Sequence, residues 1–142
     1  MLQNKSRETY EEFFKSVDFF RQMDYYERVS LWDAVKKTKF YKGEEVIIEG
    51  ELGDSFYFLL EGTAVVKKDI DGVKKEVMDY GPGDYFGERA LLTNEPRAAT
   101  IVATSDVLLL AKLESRSFQR LLAENENVHL HLLNHISSLE NS

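Results

Sequence analysis

The feature that most constrains the fold is a series of short β-type segments between Lys39 and Leu113, separated by glycine turns. Each segment holds a few β-branched, aliphatic or aromatic residues, and glycines such as Gly43, Gly50 and Gly62 provide the backbone freedom that tight turns need. The segments are Phe40-Tyr41, Val46–Ile48, Phe56–Leu60, Ala64–Val66, Val73–Met78, Thr100–Ala103 and Val107–Leu113, with a further strand pattern at Val77, Tyr80 and Tyr85. About eight short strands at this spacing predict an eight-stranded antiparallel β-roll of jelly-roll type.

Helix-type patterns lie on both sides of these strands. Asp24 can cap a helix, and Glu27 stands three residues later, which is the arrangement of a capping box. The predicted helices are Glu8–Ser16 and Asp24–Lys37 before the strands, and Ser115–Glu124 and about Asn127–Leu139 after them. The predicted class is therefore α+β. We expect one domain over residues 1–142, with helices at about 8–37, the β-roll at about 38–113 and C-terminal helices at about 115–139.

Composition and charge exclude several classes of function. A chain of 142 residues can bury one real core, but its net charge of −7 argues against nonspecific nucleic-acid binding. The chain has no cysteine, which excludes a disulfide framework and a thiolate metal site and fits a reducing, cytoplasmic location. No apolar run approaches the roughly 20 residues of a membrane helix, so we expect no membrane partner.

The segment Phe86–Ile101 carries the chemistry. It follows a turn cluster and combines a glycine, a carboxylate next to that glycine, one short apolar turn and a Pro-Arg pair. The start of a short helix, a glycine that allows close approach and an arginine can together hold an anion. Glu88 would repel a bare phosphate, yet it could accept hydrogen bonds from hydroxyl groups. A ligand that carries both phosphate and sugar hydroxyls is a nucleotide.

The same segment resembles the phosphate-binding cassette of cyclic nucleotide-binding domains. The resemblance rests on Phe86–Leu91 and, four residues later, Pro96–Thr100. Together with Tyr10–Phe13, Tyr26–Arg28 and Gly50–Phe56, the pattern is most similar to the second, C-terminal nucleotide domain of regulatory subunits of cyclic AMP-dependent protein kinase. The likeness covers nearly the whole chain and implies that residues 86–101 form the cassette.

The resemblance also implies the roles of individual residues. Arg97 would bind the exocyclic oxygens of the cyclic phosphate, and Asp54 would be the acidic partner that holds Arg97. Glu88 would accept from the ribose 2′-hydroxyl, while Gly87 and Ala90 would direct backbone N–H groups at ligand oxygens. The implied ligand-binding set is Gly87, Glu88, Arg89, Ala90, Arg97, Ala98 and Ala99.

Three further residues bear on base selectivity and on movement. Ala98 stands where sites selective for cyclic GMP usually have Thr or Ser, so the family pattern favours cyclic AMP (cAMP). Leu91 is the apolar contact implied to move when the ligand enters. Related second domains cover the adenine with an aromatic side chain, but no aromatic residue follows Phe118, and Ile136 falls near that lid position.

The resemblance therefore implies a cAMP-binding regulatory module, not an enzyme, that controls a protein kinase catalytic subunit through ligand-driven movement of its helices. A neighbouring nucleotide-binding domain would be a second partner. The alternatives are the corresponding domain of a cyclic GMP-dependent kinase, an exchange factor or a channel, or a site for another purine ligand.

Enzyme, metal and DNA-binding functions find little support. A metal-dependent enzyme on a β-roll needs histidines on its strands, but no histidine precedes residue 129. His131 and His135 are four residues apart but lack a third ligand, so we predict no metal site. A transcription regulator with this roll would need a DNA-reading helix pair after the last helix, and the chain stops at Ser142.

Overall fold

The computed structural model describes residues 11, 14–15, 20–21, 23–87, 89 and 95–124, with the backbone alone at 121–124. The predicted helix Asn127–Leu139 lies outside this range. Of the predicted helix Glu8–Ser16 only three residues are described, and all three are helical.

The strands form two four-stranded antiparallel sheets. The first has the order β1-β8-β3-β6 and the second the order β2-β7-β4-β5. The bounds are β1 Lys36–Tyr41, β2 Glu45–Ile47, β3 Ser55–Glu61, β4 Ala64–Ile70, β5 Val73–Tyr80, β6 Tyr85–Phe86, β7 Thr100–Ala103 and β8 Val107–Glu114. The predicted eight-stranded antiparallel β-roll is confirmed.

Strand β3 lies at the centre of the packing because both of its faces are covered. Phe56 and Phe58 pack on the helical side together with Phe20, whereas Tyr57 and Leu59 face the interior between the sheets. Successive side chains of a strand point to opposite faces, so an uninterrupted apolar run is needed where both faces are buried.

The helix before the roll, α1, spans Tyr25–Ala34. The predicted capping box is confirmed, since Glu27 N donates to Asp24 Oδ1 at 2.9 Å and Asp24 N donates to Glu27 Oε1 at 3.0 Å. Leu31 is fully buried in the helical core. The helix ends before the predicted Lys37, because Lys36 and Lys37 belong to β1.

Helix α2 spans Ser115–Glu124, the predicted bounds, and follows β8 directly. Phe118 is fully buried against the helical core, and the two helices contact each other. Ser115 N donates to Asp54 O at 2.7 Å, so the start of α2 is bonded to the turn before β3. Neither helix of the described chain is long and apolar enough to cross a membrane.

Candidate functional site

A cavity of about 290 Å³ lies against the inner face of the second sheet. One wall is apolar: Ile47, Val66 and Ile101 are neighbours on three adjacent strands, where Ile101 is paired with both of the others. The remainder is lined by residues 80, 86–87, 89 and 95–99. The volume is just below the range of about 300–1,000 Å³ that is usual for ligand pockets. A cavity lined by an apolar strip and by two arginine side chains suits a small ligand that is partly apolar and partly anionic.

Aromatic rings support the floor of this cavity. The Phe86 ring stacks between Tyr57, with centroids 5.4 Å apart, and Tyr80, with centroids 5.2 Å apart. Tyr57, Phe58 and Phe86 are buried in the core. Tyr80 is only half-buried, and it lines the cavity together with Phe86. Which of these rings line the cavity depends on how strands distant in sequence pair with one another.

The backbone of Arg97 is fixed on the segment before β3. Arg97 N donates to Glu51 O at 2.8 Å, and Gly50 N donates to Arg97 O at 2.9 Å. The preceding Pro96 forms an isolated antiparallel bridge with Leu52. These bonds hold the end of the cassette against a segment that is more than forty residues earlier in the chain, so Arg97 cannot shift without that segment.

The side chain of Arg97 is half-buried in the cavity wall. Its Nη2 donates to the carbonyl oxygen of Ser55 at 2.7 Å, a short hydrogen bond from a charged donor. A Cβ atom at Gly87 would lie 2.7 Å from Arg97 Nη1 and 2.9 Å from Ser55 O. Gly87 also has a φ of +85°, which side chains disfavour. Glycine is therefore required at this position by both the backbone and the available space.

Burial sets the electrostatics around Arg97. Desolvation lowers the pKa of Arg97 from its usual value, while the charges of Tyr57 and Asp54 act in the opposite direction. Burial also raises the pKa of Tyr57, although nearby Arg97 lowers it in part. An arginine remains protonated at neutral pH, so the cavity holds a fixed positive charge within a protein of net charge −7.

Asp54 influences Arg97 through its charge and through Ser55. The Asp54 carboxylate accepts from Ser55 Oγ at 2.9 Å, and Ser55 in turn accepts from Arg97 through its carbonyl. Among the described residues there is no ion pair within 4 Å between the Asp54 carboxylate and Arg97. The role of Asp54 as the partner of Arg97 stays a prediction. Ser55 was not predicted as a site residue, because it contributes its backbone oxygen and every residue type has one.

The structure brings the described members of the predicted set around this cavity. Arg89 lies at the rim, with Nη1 3.8 Å from Glu95 Oε2, and both side chains are about half exposed. The described predicted residues that line the cavity are Gly87, Arg89, Arg97, Ala98 and Ala99. The predictions for Glu88, Ala90, Leu91 and Ile136 fall outside the described residues, and the ligand-binding roles remain predictions.

Metal binding can be judged only for part of the chain. Within the described residues, no group of three or more His, Cys, Asp or Glu side chains could hold a metal ion. The three histidines at positions 129, 131 and 135 lie outside that part.

Sequence comparisons place the chain among known proteins. The family described as "Cyclic nucleotide-binding domain" matches residues 37–125. The chain is 42% identical over 118 residues to a cAMP-dependent protein kinase type II regulatory subunit of Drosophila melanogaster, over 83% of this chain and 31% of that protein. It is 43% identical over 122 residues to the cAMP-dependent protein kinase regulatory subunit of Emericella nidulans, over 86% and 29%. The chain thus spans about 30% of the length of these relatives.

Solved structures give a consistent result. The regulatory domain of Toxoplasma gondii PKA, crystallised with cAMP, matches with 40% identity and a TM-score of 0.75, over 95% of this chain and 51% of that chain. A regulatory subunit of a cAMP-independent protein kinase A from Trypanosoma brucei matches with 32% identity and a TM-score of 0.74, over 96% and 47%. The chain therefore belongs to the family of cyclic nucleotide-binding domains and is closely related to the regulatory subunits of protein kinase A.

Proposed function

We propose that this domain binds cAMP in the cavity beside Arg97 and serves as a regulatory module of a protein kinase A regulatory subunit. The observation that carries the proposal is the fixed guanidinium of Arg97 in the cavity wall, bonded to Ser55 O at 2.7 Å. The names of the similar regulatory subunits and the cAMP in the Toxoplasma gondii structure support the same ligand.

The chemistry of the cavity suits a cyclic nucleotide. A guanidinium has five N–H donors, so the donors that do not reach Ser55 can bind two oxygens of a phosphodiester. The apolar strip of Ile47, Val66 and Ile101 offers a surface for a flat base. Glu88 supplies the remaining contact in this proposal, by accepting from the ribose 2′-hydroxyl.

We further propose that this is the C-terminal of two nucleotide domains. The support is the sequence pattern at Tyr10–Phe13 and Tyr26–Arg28, which resembles the second domain of such subunits. In this arrangement Leu91 moves on ligand entry and Ile136 covers the base. The domain is non-catalytic and cytoplasmic, and it has no nucleic-acid or membrane partner.

The regulated partner in this proposal is the kinase catalytic subunit, with a neighbouring nucleotide domain in the same chain. A ligand can shift the helices only if it binds two arrangements with different affinities. The bond between Ser115 N and Asp54 O offers a route, because Asp54 adjoins Ser55, which accepts from Arg97. A ligand bound to Arg97 is therefore linked through Ser55 and Asp54 to the first residue of α2.

Isothermal titration calorimetry with a matched ligand series tests the ligand assignment. We expect cAMP to bind more tightly than cyclic GMP, 2′-deoxy-cAMP, 5′-AMP or adenosine. Cyclic GMP tests the base, the deoxy analogue tests the contact to Glu88, and 5′-AMP tests recognition of the cyclic phosphodiester. Adenosine tests the need for phosphate.

One relative supports a second candidate ligand. The Trypanosoma brucei regulatory subunit that resembles this chain is described as belonging to a cAMP-independent kinase. Another purine ligand is therefore the alternative, and adenosine is the probe for one that lacks phosphate. Binding of adenosine as tight as that of cAMP would support this alternative and contradict the assignment of Arg97 as a phosphate ligand.

A further inference from the structure

Gly53 is a buried glycine whose backbone does not require glycine. Its φ is not in the positive region that favours glycine, in contrast to Gly50 and Gly87, which have φ values of +88° and +85°. A Cβ atom built at Gly53 would overlap Nε and Cζ of Arg97 and would lie 2.8 Å from its Cδ. The three atoms nearest to that Cβ all belong to the Arg97 side chain.

We propose that Gly53 is a positioning residue of the ligand site, because its missing side chain provides the space that the Arg97 guanidinium occupies. The inference rests on the proposed function, in which Arg97 binds the phosphate. Gly53 and Gly87 border the guanidinium, and Ser55 O accepts from Nη2. Together the three residues define the position of the planar guanidinium at the cavity wall.

A methyl group at position 53 should move Arg97 and leave the fold in place. The overlap would be with the far part of a flexible side chain, which can rotate, and not with backbone. Rotation would break the 2.7 Å bond to Ser55 O and turn the guanidinium away from its present position. We expect Gly53→Ala to lower the affinity for cAMP by at least about tenfold, the size of one lost hydrogen bond to a charged group.

The test is a double-mutant cycle with a matched glycine control. The proteins are the parent, Gly53→Ala, Arg97→Ala, the double variant and Gly81→Ala. Gly81 also lacks a positive φ, and nothing lies within 4 Å of a Cβ built there, so this control adds the same methyl group in open space. Calorimetric titration with cAMP and thermal unfolding without ligand are measured for each protein, with a series of ligand concentrations wide enough for weak binding.

We expect Gly53→Ala to bind cAMP more weakly than the parent while its unfolding temperature is nearly unchanged. The double variant should bind cAMP as Arg97→Ala does, because the shortened side chain no longer needs the space. Gly81→Ala should bind like the parent. If Gly53→Ala failed to fold while the double variant folded, the overlap with Arg97 would equally be supported.

Three results would overturn the inference. Parental affinity in Gly53→Ala would show that Arg97 does not need this space. An equal loss of affinity or of folding from Gly53→Ala with and without Arg97 would show that the glycine serves the backbone. If the parent itself does not bind cAMP, the proposed function is wrong and the inference falls with it; the titration of the parent separates that failure from the other two.

Discussion

Replacing Arg97 with lysine separates the shape of the cation from its charge. Lysine keeps the positive charge of the cavity but presents a compact ammonium in place of a planar fork. In the structure the fork donates to Ser55 O at 2.7 Å while its guanidinium lines the cavity. An ammonium cannot keep that bond and also pair with two phosphate oxygens in the same geometry. Arg97→Lys should therefore weaken ligand binding even though the charge is retained.

The size of the loss follows from the bonds involved. A hydrogen bond to a charged group contributes about 1.5–3 kcal/mol, so losing one corresponds to about 10- to 150-fold lower affinity for cAMP. The free energy of unfolding should fall by no more than about 1 kcal/mol, because without ligand the lysine ammonium can still donate to Ser55 O. The ligand effect should thus exceed the stability effect.

The assay is calorimetric titration with cAMP beside thermal unfolding without ligand. Arg116→Lys is the matched control, because it makes the same chemical change at an exposed position on α2 away from the residues that line the cavity. The control should keep the parental affinity and unfolding temperature. Near-equal affinities of Arg97→Lys and the parent would refute the reasoning, as would a loss of affinity no larger than the loss of stability explains.

Three further predictions concern pH, base selectivity and helix capping. Burial raises the pKa of Tyr57 above 10.0, so the folded protein should lose free energy of unfolding as the pH rises above about 10, and Tyr57→Phe should lose less; equal pH dependence in urea unfolding would contradict this. Ala98→Thr should raise the affinity for cyclic GMP relative to cAMP in competition binding, since Ala98 lines the cavity; an unchanged ratio would contradict it. Asp24→Ala should lower the free energy of unfolding by about 1 kcal/mol in denaturant titrations without changing the cAMP affinity, because its cap lies outside the cavity.

Strand and helix ends differ from the predicted bounds where the residues lie outside the core. Strand β4 was predicted only over Ala64–Val66, yet it continues to Ile70 and pairs with β5 along its length. The added residues are largely exposed, so they carry no apolar pattern, and backbone pairing across the Asp71-Gly72 turn holds them. The end of α1 was missed for a related reason, since pairing of Lys36 and Lys37 with β8 ends the helix.

The amino-acid sequence by itself determined what depends on neighbouring residues and on residue type. Short apolar segments and glycine turns predicted the β-roll, Asp24 and Glu27 predicted a cap, and the residue types within Phe86–Ile101 indicated an anion site. Only the tertiary structure decided what surrounds Arg97. The Ser55 carbonyl and the space at Gly53 lie more than forty residues away in sequence. A backbone oxygen exists at every position and an empty volume has no residue type, so only the fold reveals which ones meet the guanidinium.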